Sequence, residues 1–181
     1  MLTIELPAHQ AQSKFNLQRW TQLLDDAELA KIEGRIETDR HGHIIMMPPA
    51  PPSHGRFQFW IGHLLANFMP RGGIFSECPI STADGVRAAD VAWASAKRVR
   101  GLGGRACFML APEICVEVLS ASNTEAEIQE KTALYFDAGA REVWICEMSG
   151  VMRFRARGRT GLLERSQLCP DFPKRIKLPA I

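Results

Sequence analysis

The sequence predicts a single α/β domain over residues 1–181, with a mixed β-sheet flanked by α-helices. Three observations carry this expectation. Apolar residues recur at helical spacing in two stretches, and a third stretch has strong helix start and stop signals. Short apolar runs bounded by turn residues read as strands. Their order is helix, hairpin, helix, three strands, helix, then two or three strands.

Leu17, Trp20, Leu24 and Ala27 share one helical face, with Leu23 beside them, which predicts a helix over 16–30. "RIETDRHGHIIMM" predicts two short strands around a turn at Asp39 to Gly42. "PPAPPS" is a break, and its Ser53 is a candidate N-cap. Phe57, Ile61, Leu64, Leu65 and Phe68 mark a helix from about 54 to 69, ended by Gly72 and Gly73. Strands follow at roughly 74–78, 86–94 and 114–119, with a glycine-containing loop over 95–112. In "ASNTEAEIQEKTALYFDAGA", Ser122 or Asn123 caps a helix that Gly139 stops. "EVWICEM" and "VMRFRAR" form a hairpin across Ser149-Gly150, and "RIKLPAI" is a last strand or tail.

The chain is long enough for a real core, and nearly half of it is apolar. A net charge of +2 neither demands nor excludes nucleic acid, because a local basic patch decides that. No apolar run approaches the ~20 residues of a membrane span. "MLTIELPAHQAQSK" lacks the pattern of a signal peptide, so a cytoplasmic location without membrane contact is expected. The five cysteines are widely spaced and form no CxxC, which favours reduced, buried thiols over disulfides or a zinc site.

Three charges do not fit a bland core. Glu117 is the lone acid in "ICVEV", and Asp90 the lone acid in "VRAADVAWA". On neighbouring strands they would repel unless a proton or a divalent cation lay between them, and carboxylate oxygens with water suit Mg²⁺. The competing account is a structural ion pair of Glu117 with Arg87 or Arg141. Lys131 lies on the sheet-facing side of its helix, between Ile128 and Tyr135. It either faces the acids or forms a surface pair with Glu127. An acid pair with a lysine is a recurrent device for phosphodiester hydrolysis, in which a metal polarises the phosphate, water attacks and the ammonium orients it or balances charge.

These residues stand in segments that resemble the bacterial Uma-type family of candidate endonucleases, in the restriction-endonuclease-like PD-(D/E)xK superfamily. The segments are "RIETDRHGHIIMMPPAPPSHGR", "GVRAADVAWASAKR", "PEICVEVLSASNTEAEIQEKTALYFDAGAREVWIC" and "LCPDFPKRIKLP". The resemblance implies a restriction-endonuclease-like core and Mg²⁺-dependent cleavage of DNA, with Mn²⁺ able to substitute. By position, Asp90 and Glu117 match the acidic metal-binding pair. Ala89 replaces the motif's proline. Leu119 stands where the usual lysine would be, and Lys131 is the substitute. Glu37 matches an acid of the family's first strand, as a further ligand or water-orienting group, or else is a solvated hairpin residue.

His54 and Ser120 are accessory candidates: His54 as a cleft or packing residue, Ser120 as a phosphate contact or a helix cap. "KRVRGLGGR" offers Lys97, Arg98, Arg100 and Arg105 to phosphates. Arg153, Arg155 and Arg157 form either a DNA-backbone stripe or a charged strand edge that resists aggregation. The rivals to a nuclease are a non-catalytic nucleic-acid-binding or regulatory domain keeping the fold, and a hydrolase of small phosphoesters. A homodimer would supply two active sites for cutting two strands.

Overall fold

The computed structural model describes residues 8–31 and 34–179. Helix α1 (Ala8–Leu24) is followed by a 3-10 turn (Leu29–Lys31), then β1 (Arg35–Thr38) and β2 (Ile44–Met47), which pair antiparallel. Helix α2 (Pro52–Phe68) leads into β3 (Gly72–Thr82) and β4 (Gly85–Ser95). Then come α3 (Ala96–Leu102), β5 (Ile114–Val118), α4 (Glu125–Asp137), β6 (Glu142–Cys146) and β7 (Met152–Ala156).

The main sheet runs β3-β4-β5-β6-β7. Only β5 and β6 are parallel, joined across α4; the other pairs are antiparallel. The sheet is mixed and flanked by helices. On one face, Phe57, Ile61 and Leu65 of α2 pack on Val91, Val116, Trp144 and Phe154. On the other, Tyr135 of α4 and Ala138 at its C-terminal end pack on Ala92, Cys115 and Val143. Trp20 and Leu23 of α1 cover Val86 and Cys107. Asn16 pins α1 to the β3–β4 turn by donating to Ser81 Oγ, Thr82 O and Gly85 O. All five cysteines are buried free thiols.

Several element limits differ from expectation. Helix α1 occupies Ala8–Leu24, not 16–30, because Asp26 turns its carboxylate onto the amides of Glu28 and Leu29 and starts the 3-10 turn. Ser53 is not the cap of α2: Pro51 holds that place and Pro52 opens the helix. Gly72 and Gly73 belong to β3. The expected loop 95–112 contains α3, where the Ser95 hydroxyl accepts from Arg98 N and Gly103 closes the helix at φ 58°. Helix α4 is capped by Thr124, in a reciprocal box with Glu127, and not by Ser122 or Asn123. The C-terminal tail runs beside the β6–β7 turn, where Ile176 N donates to Gly150 O; Ala180 and Ile181 lie outside the described residues.

Candidate active site

A matched irregularity in two strands builds the site. The β3–β4 ladder keeps the same register on both sides of Glu77 and Asp90, but these two residues do not pair within it. Residues two or four apart in a strand should share a face. Yet Val91 packs in the α2 layer and Ala89 in the α4 layer; Ile74 packs in the α2 layer and Cys78 in the α4 layer. One residue in each strand is therefore out of phase, in the manner of a bulge. Glu77 has φ 47°, and among the described residues no other non-glycine has positive φ. Strands β4 and β5 stop pairing after Val91–Val116, and Val118 N donates to Asp90 Oδ2 at 2.6 Å. Where the strands part, a cleft of about 880 Å³ opens, lined by Arg35, Glu37, His54, Glu77, Asp90, Glu117 and Lys131.

Continuing the β4–β5 register sets Asp90 opposite Glu117, on the cleft they both line. Both are buried. Asp90 Oδ1 accepts from Arg35 Nη1 at 2.5 Å, and Oδ2 lies 3.2 Å from His54 Nε2. Glu117 Oε1 accepts from the Tyr135 hydroxyl at 2.7 Å, and Oε2 from Lys131 Nζ at 3.2 Å. Lys131 Nζ also donates to Glu37 Oε1 at 2.9 Å, bridging two buried carboxylates from opposite walls. Glu127 is held in the helix cap, and Lys131 turns inward. Glu37 is not a solvated hairpin residue: it is 2% exposed and also accepts from Ala88 N, with Arg87 at 3.5 Å. Arg87 pairs with Glu37 and Asp84, not with Glu117.

The electrostatics of the two acids diverge. Burial opposes ionisation of Asp90, but the His54 hydrogen bond and the Arg35 guanidinium hold its carboxyl below the usual range. Burial pushes Glu117 up to about 7 against the Lys131 ammonium, and the Asp90 charge adds to the rise. Burial also works against the Lys131 charge, yet Glu117 and Glu37 keep its pKa above the ordinary value. The hydrogen bond to Asp90 raises His54. His54 Nδ1 is buried with no hydrogen-bond partner among the described residues.

The structure brings the sequence candidates Asp90, Glu117, Lys131, Glu37 and His54 to one cleft. Ser120 lines it too, but its hydroxyl bonds Asn123 Oδ1 and Ser122 Oγ. The basic segment 97–105 lies elsewhere. It follows Ser95, which bonds Glu113 at the far end of β5 from Glu117. Arg98 pairs with Glu113 and the Gly139 carbonyl, Arg105 bonds the carbonyls of Gly101 and Leu102, and Lys97, Arg98, Arg100 and Arg105 are not among the cleft-lining residues. Arg153 and Arg155 are held by Glu125, and Arg153 also by Glu147. Sequence reasoning missed Arg35, Glu77 and Tyr135. Tyr135 was legible as four residues beyond Lys131 on the same helical face; Arg35 and Glu77 gave no pattern.

Of the carboxylates that line the cleft, Asp90 and Glu117 stand opposite each other on β4 and β5. Among the described residues, no three His, Cys, Asp or Glu side chains form a metal-holding group. Such a pair suits Mg²⁺, which keeps several waters and takes one or two carboxylates, better than an all-protein cage. The guanidinium of Arg35, against Asp90, stands in for a cation at this place.

A family model described as "Uma2: Putative restriction endonuclease" matches residues 21–179. The crystal structure of "a putative nuclease belonging to DUF820" from Anabaena variabilis ATCC 29413 shares the fold with a TM-score of 0.65 at 15% identity. The match covers 81% of this chain and 84% of that one. No curated protein gives a significant match. No helix among the described residues is long and apolar enough to cross a membrane.

Proposed function

The chain belongs to the Uma2 family, and from that premise we propose that it is a Mg²⁺-dependent endonuclease hydrolysing phosphodiester bonds in DNA. The observation that carries this reading is the half-buried Lys131 ammonium, held in the cleft between Glu37 and Glu117 with Asp90 opposite. A lysine brought inward to two acids on the face of a cleft has more than a surface pair to serve.

Asp90 and Glu117 would hold the metal, with Mn²⁺ an acceptable substitute. When bound, Mg²⁺ supplies Lewis acidity toward the phosphate. Asp90 is kept anionic and oriented by Val118 N, and Tyr135 fixes the Glu117 carboxylate from behind. Lys131 orients the attacking water and stabilises charge that grows on the phosphate oxygens. Glu37 holds that ammonium at its post. The single domain and cytoplasmic location remain part of this proposal, as does a homodimer presenting two clefts to the two strands.

One observation favours a second reading, a non-catalytic nucleic-acid-binding or regulatory domain. The Asp90 charge is already compensated by Arg35 without any metal. Calorimetric titration with Mg²⁺ and Mn²⁺, alongside plasmid cleavage, separates the two. Nicking of supercoiled plasmid that needs the divalent ion and disappears in Asp90→Asn supports the nuclease. Absence of both metal binding and cleavage supports the binding domain. A preference for a small phosphodiester over DNA would redirect the assignment to a small-molecule hydrolase.

A further inference from the structure

Arg35 is placed as no purely structural partner of Asp90 needs to be. Its Nη1 reaches Asp90 Oδ1 at 2.5 Å and Glu77 Oε2 at 2.8 Å. Asp90 is buried, whereas the Glu77 side chain is 44% exposed at the cleft wall. One acid would balance one guanidinium. The second is held beside it by a left-handed backbone at φ 47° and by Gln58, whose side-chain amide donates to Glu77 Oε1. A strained residue that persists is over-determined by its surroundings, and such residues cluster where sites change state. The Arg35 side chain is 22% exposed and lines the cleft, which leaves it an outward path.

We propose that Arg35 is a displaceable counter-ion: a divalent cation binding at Asp90 and Glu117 takes the place of the guanidinium, which moves outward onto Glu77. This rests on the metal reading above. Two cations cannot both sit in contact with Asp90 Oδ1, because their repulsion is steep at such separations and little screened in a buried site. Without metal, Arg35 keeps the buried acids compensated. With metal, Glu77 retains the side chain at the mouth of the cleft, where its planar fork suits a phosphate oxygen pair. Arg35 and Glu77 are thus positioning residues that link metal entry to the presentation of a phosphate contact.

Mn²⁺ binding, read by electron paramagnetic resonance without nucleic acid, tests this on the full chain. Arg35→Met is expected to bind Mn²⁺ at least tenfold more tightly than wild type, and the gain persists at high ionic strength, where long-range repulsion is screened. Glu77→Gln is expected to bind several-fold more weakly, and that loss shrinks in the double variant, which has no guanidinium to place. Arg35→Met binding no more tightly than wild type, while Asp90→Asn abolishes binding, overturns the displacement and leaves the metal reading standing. An equal Glu77→Gln loss in both backgrounds also overturns it, since Glu77 would then act only as a distant charge. If Arg35→Met does not fold, Glu77→Gln binding at wild-type affinity is the overturning result. No Mn²⁺ binding in wild type and in every variant overturns both readings.

Discussion

Glu117 and Glu142 are both buried carboxylates on adjacent strands of one sheet, and they differ in what surrounds them. Glu142 is held by neutral donors: Trp144 Nε1, Ser166 Oγ and the amides of Gln167 and Leu168, all at 2.7–3.0 Å. Each lone pair is matched by a group that cannot leave, and the segment 166–168 is tied to β6 as a result. Glu117 has one neutral donor, Tyr135, and one long flexible cation, Lys131, and it faces a cleft. A carboxylate among fixed dipoles is architecture. A carboxylate whose partners are mobile charges can exchange them. Burial and charge do not separate the two; the kind of partner does.

Substitution sharpens this contrast. The largest expected effect is on catalysis by Glu117→Gln, which should remove plasmid cleavage entirely while the protein melts in chelator at or above the wild-type temperature. A steep fall in its melting temperature would put Glu117 in the same class as Glu142. Next comes Glu142→Gln. Its amide forces donors against donors, and the expected loss is about 2–4 kcal/mol of stability, independent of metal, read by urea unfolding. A neutral result there would break the comparison from the other side. Lys131→Met should fold normally and lower turnover by about 10²-fold, the scale of a lost transition-state donor. Wild-type turnover in Lys131→Met would leave the ammonium as charge balance alone.

A smaller effect follows from pH. Glu117 is raised from 4.5 to about 7, so the fold binds its proton more tightly than the unfolded chain does. The associated stability is complete below about 4.5 and is lost as pH rises through about 7. Glu117→Gln cannot show this loss. The stability of wild type relative to Glu117→Gln, measured in chelator, should therefore fall by roughly 2–3 kcal/mol between pH 4.5 and 8. A flat difference would mean that Lys131 compensates Glu117 fully.

Elements with a strong period or a two-sided stop signal were legible in the sequence: α2, α4, the β1–β2 hairpin and the β6–β7 hairpin. Helix α3 was not, because three glycines in and after it masked the Ser95 cap and the Gly103 stop. Of the site, Asp90, Glu117 and Lys131 stood out because each contradicts its own apolar surroundings. Arg35 and Glu77 contradict nothing locally. Charged residues on short or edge strands are ordinary, and only tertiary contact makes them neighbours of Asp90. The basic segment 97–105 shows the converse: it follows the Asp90 strand in sequence, yet the length of β4 carries it to the other end of the sheet.

The phase slip at Glu77 and Asp90 has a consequence for chain length. Ser76 pairs with Val91, and Cys78 with Ala89. Excising Glu77 and Asp90 together would make these pairs consecutive and restore strict alternation of faces in both strands. Excising either alone would throw the remaining ladder one residue out of step. Formally, the cleft is one extra residue in each arm of an otherwise regular hairpin. The double deletion should give a hairpin that still closes, without its left-handed residue and without the Asp90 carboxylate that would share a metal with Glu117.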